Sequence, residues 1–215
     1  MSANPATAPV RVLEWVRYPT GVWNLPRSLA HGLAAVVPGV EVWCPETRAE
    51  AEALLPQADV VLGFIVRPEN LGAAKRLRWI HSTAASATHV LFPALVESDV
   101  TVTNARGLHA DAMVEHALAV MLGYVRQLHV ARDAQLARRW EQERMAATGF
   151  GSLAGATLGI VGLGAIGSAL AQRARALGMR VLAVRRRPAA APAVAHEEWP
   201  VARLPELLAQ SDFVV

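Results

Sequence analysis

The chain has 215 residues, of which 53% are apolar and 18% charged, a composition that excludes a disordered chain and allows one large or two small folded domains. Its formal net charge is only +3, its arginines are mostly scattered and no zinc-finger spacing occurs, so no nucleic-acid partner is expected. The single cysteine, Cys44, excludes a disulfide framework and a cysteine-based metal site.

Nothing in the sequence predicts a membrane partner. Residues 1–9 form a short polar segment rich in alanine and proline, typical of a flexible tail and unlike a signal peptide. Residues 145–172 carry no charge, but their glycines divide them into a loop, a strand and a turn, whereas a membrane span needs ~20 apolar residues in one helix. We therefore expect a cytoplasmic protein.

Residues 10–104 alternate short apolar strands with helical segments. Strands are predicted over 10–16, 40–43, 59–66, 78–81 and 100–103, and helices over 26–37, 48–55, 70–77 and 93–96. Because strands that alternate with helices build βαβ units, this segment predicts a parallel sheet in one α/β domain.

One long helix is predicted over 109–139, where apolar side chains recur every three to four residues. Its length and its place between two α/β segments indicate a connector between domains. Residues 140–153 are predicted as a loop, after which a second α/β unit begins.

A glycine motif follows the first strand of that second unit. The strand covers 157–161, and Gly162, Gly164 and Gly167 open a helix over 168–177 that leads into a strand over 179–184. In this context the first glycine permits a tight turn, the second lets the backbone approach a pyrophosphate, and the third lets helix and strand pack closely. The pattern predicts a dinucleotide site at a helix N-terminus.

The ribose-reading position favours NADP over NAD as the cofactor. An NAD site places a carboxylate about 20 residues beyond the glycines, where it accepts hydrogen bonds from the ribose 2′-OH. Here Arg185, Arg186 and Arg187 occupy that region, and a guanidinium pairs with a 2′-phosphate. NAD remains possible, and the alternative is that the three arginines form a solvated loop.

Three blocks resemble the D-isomer-specific 2-hydroxyacid dehydrogenases: residues 102–119, residues 153–167 around the glycine motif, and residues 204–215. The order also agrees, since an α/β domain and a connecting helix precede the glycine motif. The resemblance implies a flavodoxin-like substrate domain over 10–104, an interdomain helix region over 105–140, and the N-terminal half of a Rossmann NAD(P)-binding domain over 141–215.

The resemblance also implies site residues. Ala165 and Ile166 join the three glycines in contacting the cofactor, and Met113 lies where family members place an apolar residue near the nicotinamide. The alternative for Met113 is a place in the helix core. The backbone of the loop after the fourth strand holds the substrate carboxylate, in the manner of an anion nest; it is formed by Ala84, Ala85 and Ser86.

The implied reaction is hydride transfer between NAD(P)H and a small 2-keto or 2-hydroxy acid resembling glyoxylate or hydroxypyruvate. The family's catalytic arginine, carboxylate and histidine have no match here, because the chain is expected to end inside the third strand of the cofactor domain. Strand 157–161 would then lack a neighbour, so this stretch is expected to bind cofactor weakly, show no turnover and aggregate. An intact protein is expected to be a homodimer.

Other interpretations stay open. A catalytically inactive NAD(P)-binding remnant or an interaction protein can share this fold, and so can an amino-acid or phosphite-type dehydrogenase. No metal is expected, since His109 and His116 lack the spacing of two ligands on one helix face. His81 and His89 flank the carboxylate loop, where ordinary packing is the simplest role.

Overall fold

The computed structural model describes residues 8–18, 20–188 and 194–215, with the backbone alone for Thr148. The chain forms two compact units, one ending at Arg106 and the other running from Gly107 to Val215, each built on its own parallel sheet. The predicted tail over 1–9 lies almost wholly outside the described residues. Within the described ranges, no helix is long and apolar enough to cross a membrane.

The first unit is a five-stranded parallel sheet with the order β2-β1-β3-β4-β5. Its strands are β1 (Val10–Trp15), β2 (Val40–Trp43), β3 (Val60–Gly63), β4 (Trp79–Ser82) and β5 (Thr101–Asn104). Its helices are α1 (Arg27–Val36), α2 (Arg48–Leu54), α3 (Pro68–Leu71) and α4 (Pro93–Val96), with a 3-10 turn at Leu55–Gln57. This strand order is that of flavodoxin-like folds and confirms the predicted architecture.

The two faces of this sheet are covered unequally. Leu13, Val61 and Ile80 point to one face and are buried almost completely. On the other face, an apolar cavity of about 620 Å³ lies beside α1, and the Trp79 ring is 42% exposed. The core of the first unit therefore lies mainly on one side of its sheet.

Two elements of the first unit are shorter than predicted. The third strand was expected over 59–66 but ends at Gly63, whose φ of +121° turns the chain away from the sheet. The helix expected over 70–77 is only the short α3, which begins at Pro68. Proline favours the first turn of a helix, because it has no N–H to donate there.

The second unit has a four-stranded parallel sheet with the order β8-β7-β6-β9. Its strands are β6 (Thr157–Val161), β7 (Arg180–Val184), β8 (Glu197–Trp199) and β9 (Phe213–Val214). Its helices are α5 (Ala110–Val125), α6 (Leu128–Leu136), α7 (Gln142–Thr148), α8 (Ala165–Ala176) and α9 (Leu204–Gln210), with a 3-10 turn at Val201–Arg203. When the strands are numbered within this unit, with β6 as the first, the order is 3-2-1-4, as in a Rossmann domain.

The prediction that strand 157–161 lacks a neighbour is wrong. The third strand is β8, and residues 204–215 lead through α9 into the fourth strand, β9, which pairs with β6. The N–H of Val161 also donates to the carbonyl of Val215, at 2.7 Å. The central strand β6 therefore has a partner on each side, β7 and β9.

The long helix predicted over 109–139 is divided into α5 and α6. Gln127, between them, has a left-handed backbone with φ of 55°, which a continuous helix cannot contain. The predicted loop over 140–153 contains α7. Val114 and Met121 of α5 pack in one core with Leu158 and Leu170, and both helices belong to the second unit.

Gly63 provides a test of the first unit. A Cβ on Gly63 would lie 2.1 Å from the Trp15 carbonyl oxygen, and its positive φ is unfavourable for other residues. We expect Gly63→Ala to lower the free energy of unfolding by about 3 kcal/mol, measured by urea denaturation. Gly72→Ala is the control, since a Cβ there meets nothing within 4 Å; equal stability of the two variants would contradict the account.

Candidate dinucleotide site

The turn between β6 and α8 depends on two glycines. Gly162 has φ of +106°, and its N–H donates to the Val184 carbonyl of β7 at 2.9 Å. A Cβ on Gly167 would lie 2.2 Å from the Gly162 carbonyl oxygen and 3.1 Å from Ile160, so α8 can approach β6 only if residue 167 is glycine. The turn thus has the tight geometry predicted for a dinucleotide-binding loop.

The N-terminus of α8 faces solvent at this turn. Gly164 is the N-cap residue of this 12-residue helix, and its carbonyl accepts the N–H of Ser168 at 2.9 Å. The N–H groups of the first turn, including those of the exposed Ala165 and Ile166, have no partner within the helix. They and the helix dipole favour an anion here. A cradle free of side chains beside unpaired N–H groups fits a pyrophosphate.

Arg185 follows β7 directly and lies next to this turn. Its N–H donates to the Trp199 carbonyl at 3.0 Å, and its Nη1 lies 3.4 Å from Oε2 of Glu198. The Glu198 side chain is only 3% exposed, whereas that of Arg185 is 39% exposed. Arg186 is exposed beyond it. Arg185 is therefore ion-paired, whereas Arg186 and Arg187 are exposed.

Sequence reasoning missed Glu198. It lies in β8, a strand of three residues with the sequence Glu-Glu-Trp, and no apolar run marks that strand. Only the parallel pairing of Ala183 with Glu198 brings this carboxylate beside Arg185. Because Arg185 and Glu198 are 13 residues apart in the sequence, the pattern of residues does not indicate their contact.

Met113 lies on the outward side of α5. It is 50% exposed, while the buried residues of that helix are Val114, Met121 and Val125. The alternative of a core role for Met113 is therefore wrong. Just before α5, a Cβ on Gly107 would lie 4.0 Å from the Ala165 Cβ, so the chain entering α5 passes beside the first turn of α8.

The predicted carboxylate loop follows β4 in the first unit. The N–H of Ala84 donates to Ser82 Oγ at 3.3 Å, and the Ala84 carbonyl accepts the N–H of Ala105 at 3.1 Å. Ala85 and Ser86 are exposed, and within the described parts of the chain their N–H groups have no hydrogen-bond partner. Two of the three predicted amides are therefore available to an anion.

The flanking histidines differ in their surroundings. His81 Nδ1 lies 2.8 Å from Thr103 Oγ1 on the neighbouring strand, which agrees with a packing role. His89 Nε2 lies 3.4 Å from Ser82 Oγ, and its ring meets the edge of Phe64 at a centroid distance of 5.0 Å. His89 thus lies at the end of β4, beside the start of the carboxylate loop.

No proton-transfer pair or metal centre is assembled in the described ranges. There, no group of three or more His, Cys, Asp or Glu side chains could hold a metal ion, and no histidine is hydrogen-bonded to a carboxylate. Asp111 lies 2.6 Å from Arg173 of α8, in an exposed ion pair that contributes little to stability.

Comparison with known proteins finds one matching family profile for the second half of the chain. Residues 118–215 match the profile of the NAD-binding domain of D-isomer specific 2-hydroxyacid dehydrogenases. The matched stretch begins within α5 and includes β6, the glycine turn, α8 and Arg185. The family profile therefore covers the residues that form the candidate dinucleotide site.

Similar proteins include a glyoxylate reductase of Thermococcus kodakarensis, 32% identical over 82% of this chain and 56% of its own length. A D-3-phosphoglycerate dehydrogenase of Mycobacterium tuberculosis is 32% identical over 75% of this chain and 30% of its own length. The chain thus spans between about a third and somewhat more than half of these curated relatives.

A solved D-isomer specific 2-hydroxyacid dehydrogenase family protein of Aeromonas salmonicida aligns with 97% of this chain and 63% of its own, at a TM-score of 0.77 and 27% identity. Its alignment extends the match through both units, beyond the NAD-binding profile. With the glycine turn, the 3-2-1-4 sheet and these relatives, the chain belongs to the D-isomer specific 2-hydroxyacid dehydrogenase family.

Proposed function

We propose that this chain belongs to an oxidoreductase that transfers hydride between NADP(H) and a small 2-keto or 2-hydroxy acid of the glyoxylate or hydroxypyruvate type. The observation that carries the proposal is the β6–α8 turn with Arg185 beside it. Because Gly162 is hydrogen-bonded to Val184, the phosphate cradle and the ribose-reading residue are adjacent. Family membership supports the reaction class, and the glyoxylate reductase among the relatives supports the substrate class.

Each part of the cofactor has a candidate partner. The backbone of Gly162, Gly164 and Gly167, with the N–H groups of Ala165 and Ile166, would hold the pyrophosphate. Arg185 and Arg186 would bind the 2′-phosphate, and Met113 is proposed to lie near the nicotinamide. When bound, the cofactor supplies or accepts the hydride. NAD remains an alternative cofactor.

The substrate carboxylate is assigned to the loop after β4. The unpaired N–H groups of Ala85 and Ser86 would donate to it, with Ala84 lining the approach.

No residue in the described ranges is assigned to proton transfer. Within the described ranges no histidine is paired with a carboxylate, and the chain spans 56% of the glyoxylate reductase. The same observation favours a second candidate, an NAD(P)-binding protein without catalysis on the same fold.

A homodimer is proposed on the basis of exposed apolar surface. An apolar cavity of about 900 Å³ lies along α6 and α7, and Trp140 beside it is 89% exposed. Exposed apolar patches of this kind often mark protein interfaces. A cytoplasmic location stays a prediction of the sequence.

Dinucleotide binding can be tested at Gly167. A Cβ at that position displaces α8 from the Gly162 carbonyl, and we expect Gly167→Ala to weaken ADP-ribose binding at least about tenfold by calorimetry, as strain of about 1–3 kcal/mol implies. Gly123→Ala in α5 is the control, because its Cβ would meet only Leu128 at 3.9 Å. Unchanged affinity in Gly167→Ala would contradict the assignment of the turn.

Catalysis can be tested on the product of the complete reading frame. We expect NADPH to be oxidised when glyoxylate or hydroxypyruvate is added, and faster than NADH, because Arg185 and Arg186 favour the 2′-phosphate. The 215-residue chain should bind ADP-ribose without turnover. If the complete protein binds cofactor but reduces neither acid, the binding-protein candidate replaces the dehydrogenase proposal.

A further inference from the structure

The ribose-reading arginine is not alone at its site. We propose that Glu198 is a specificity-determining residue that anchors Arg185 and also weakens its attraction for a 2′-phosphate, which brings the affinities for NADP(H) and NAD(H) closer together. This inference rests on the proposed dinucleotide binding at the β6–α8 turn. It assigns a function to a buried carboxylate that the reaction itself does not use.

The backbone fixes both partners. The N–H of Arg185 donates to the Trp199 carbonyl at 3.0 Å, and Ala183 pairs in register with Glu198 across β7 and β8. Val184, between Ala183 and Arg185, accepts the N–H of Gly162. The sheet therefore holds the backbones of Arg185 and Glu198 beside the glycine turn.

The burial of Glu198 explains why it pairs with Arg185 in the absence of a ligand. A carboxylate that is 3% exposed is costly unless a cation or hydrogen-bond donors compensate its charge. Arg185 Nη1 provides such compensation at 3.4 Å. A guanidinium has five N–H donors in a rigid plane, and the 39% exposed side chain keeps part of that plane open to solvent. Glu198 therefore orients the guanidinium and leaves donors for a ligand.

The charge of Glu198 acts against that ligand. A 2′-phosphate bound on the open side of the guanidinium would lie roughly 7 Å from the carboxylate, and like charges at that distance near a protein surface repel. The repulsion corresponds to about three- to tenfold in affinity when partial solvent screening is allowed for. ADP-ribose without the 2′-phosphate carries no charge at this position and is not penalised.

The test measures the affinity ratio of two ligands. Calorimetry gives the Kd of 2′-phospho-ADP-ribose and of ADP-ribose for the chain and for Glu198→Gln, whose amide oxygen can still accept from Arg185. We expect the preference for the 2′-phosphorylated ligand to rise about three- to tenfold, with the Kd of ADP-ribose unchanged within about twofold. That second Kd also reports that the variant is folded.

Glu197→Gln is the matched control. Glu197 lies in the same strand and points to the opposite face of the sheet, where it lies 2.7 Å from Arg180. The hydrogen bond from Arg180 outweighs partial burial and holds the pKa of Glu197 below its usual value, so Glu197→Gln removes a negative charge at neutral pH. We expect the ligand ratio of Glu197→Gln to equal that of the wild type.

Two further variants keep the outcome decisive. In the Arg185→Gln background, Glu198→Gln should lose most of its effect, because without the guanidinium the 2′-phosphate is no longer held beside residue 198. If Glu198→Gln fails to fold, Glu198→Leu removes the same charge without requiring a hydrogen-bond partner, and a smaller rise is expected because leucine does not orient Arg185. An unchanged or lower ratio in the folded variant overturns the proposal, as does an equal rise in Glu197→Gln.

The two affinities distinguish the role of Glu198 from dinucleotide binding itself. If the wild type binds both ligands and the ratio does not respond to residue 198, only the role of Glu198 is refuted. If the wild type binds neither ligand, the dinucleotide site and the role of Glu198 are refuted together.

Discussion

The second unit depends on how closely its elements approach the central strand β6. On one face, Gly167 allows α8 to contact the turn after that strand. On the other face, a Cβ on Gly159 would lie 2.3 Å from Ser211 Oγ and 2.6 Å from Leu207 Cδ2, so a larger residue there would displace side chains at α9. Because α9 leads directly into β9, the same close packing determines where the fourth strand pairs. The phosphate cradle and the sheet therefore follow from one steric constraint.

The packing around β6 positions the groups that would bind the cofactor. The cradle offers N–H groups and a helix dipole, which favour any phosphate. Discrimination between cofactors is carried by side chains at the end of β7, where Arg185 adds a positive charge and Glu198 partly offsets it. Affinity and selectivity thus arise from different parts of the same turn, and each can be changed separately.

The sequence was sufficient for the strongly patterned parts of the fold. The glycine spacing and its flanking apolar strands predicted the β6–α8–β7 unit, because each element there has a local cause. The break at Gln127 was missed because it depends on distant contacts: its side-chain amide donates to the carbonyl of Met145 at 2.9 Å, from α7. The strand β8 was missed because it is short and acidic, and its Arg180 and Arg185 partners lie more than ten residues earlier.

The most direct test of the account is hydrogen–deuterium exchange of the chain with and without 2′-phospho-ADP-ribose. We expect slower exchange at the amides of residues 162–168 and 185–186 when the ligand is bound. The carboxylate loop at residues 84–86 should show no change, since this ligand lacks a substrate carboxylate. Binding of the ligand without protection of residues 162–168 would contradict the central claim that the β6–α8 turn holds the cofactor phosphates.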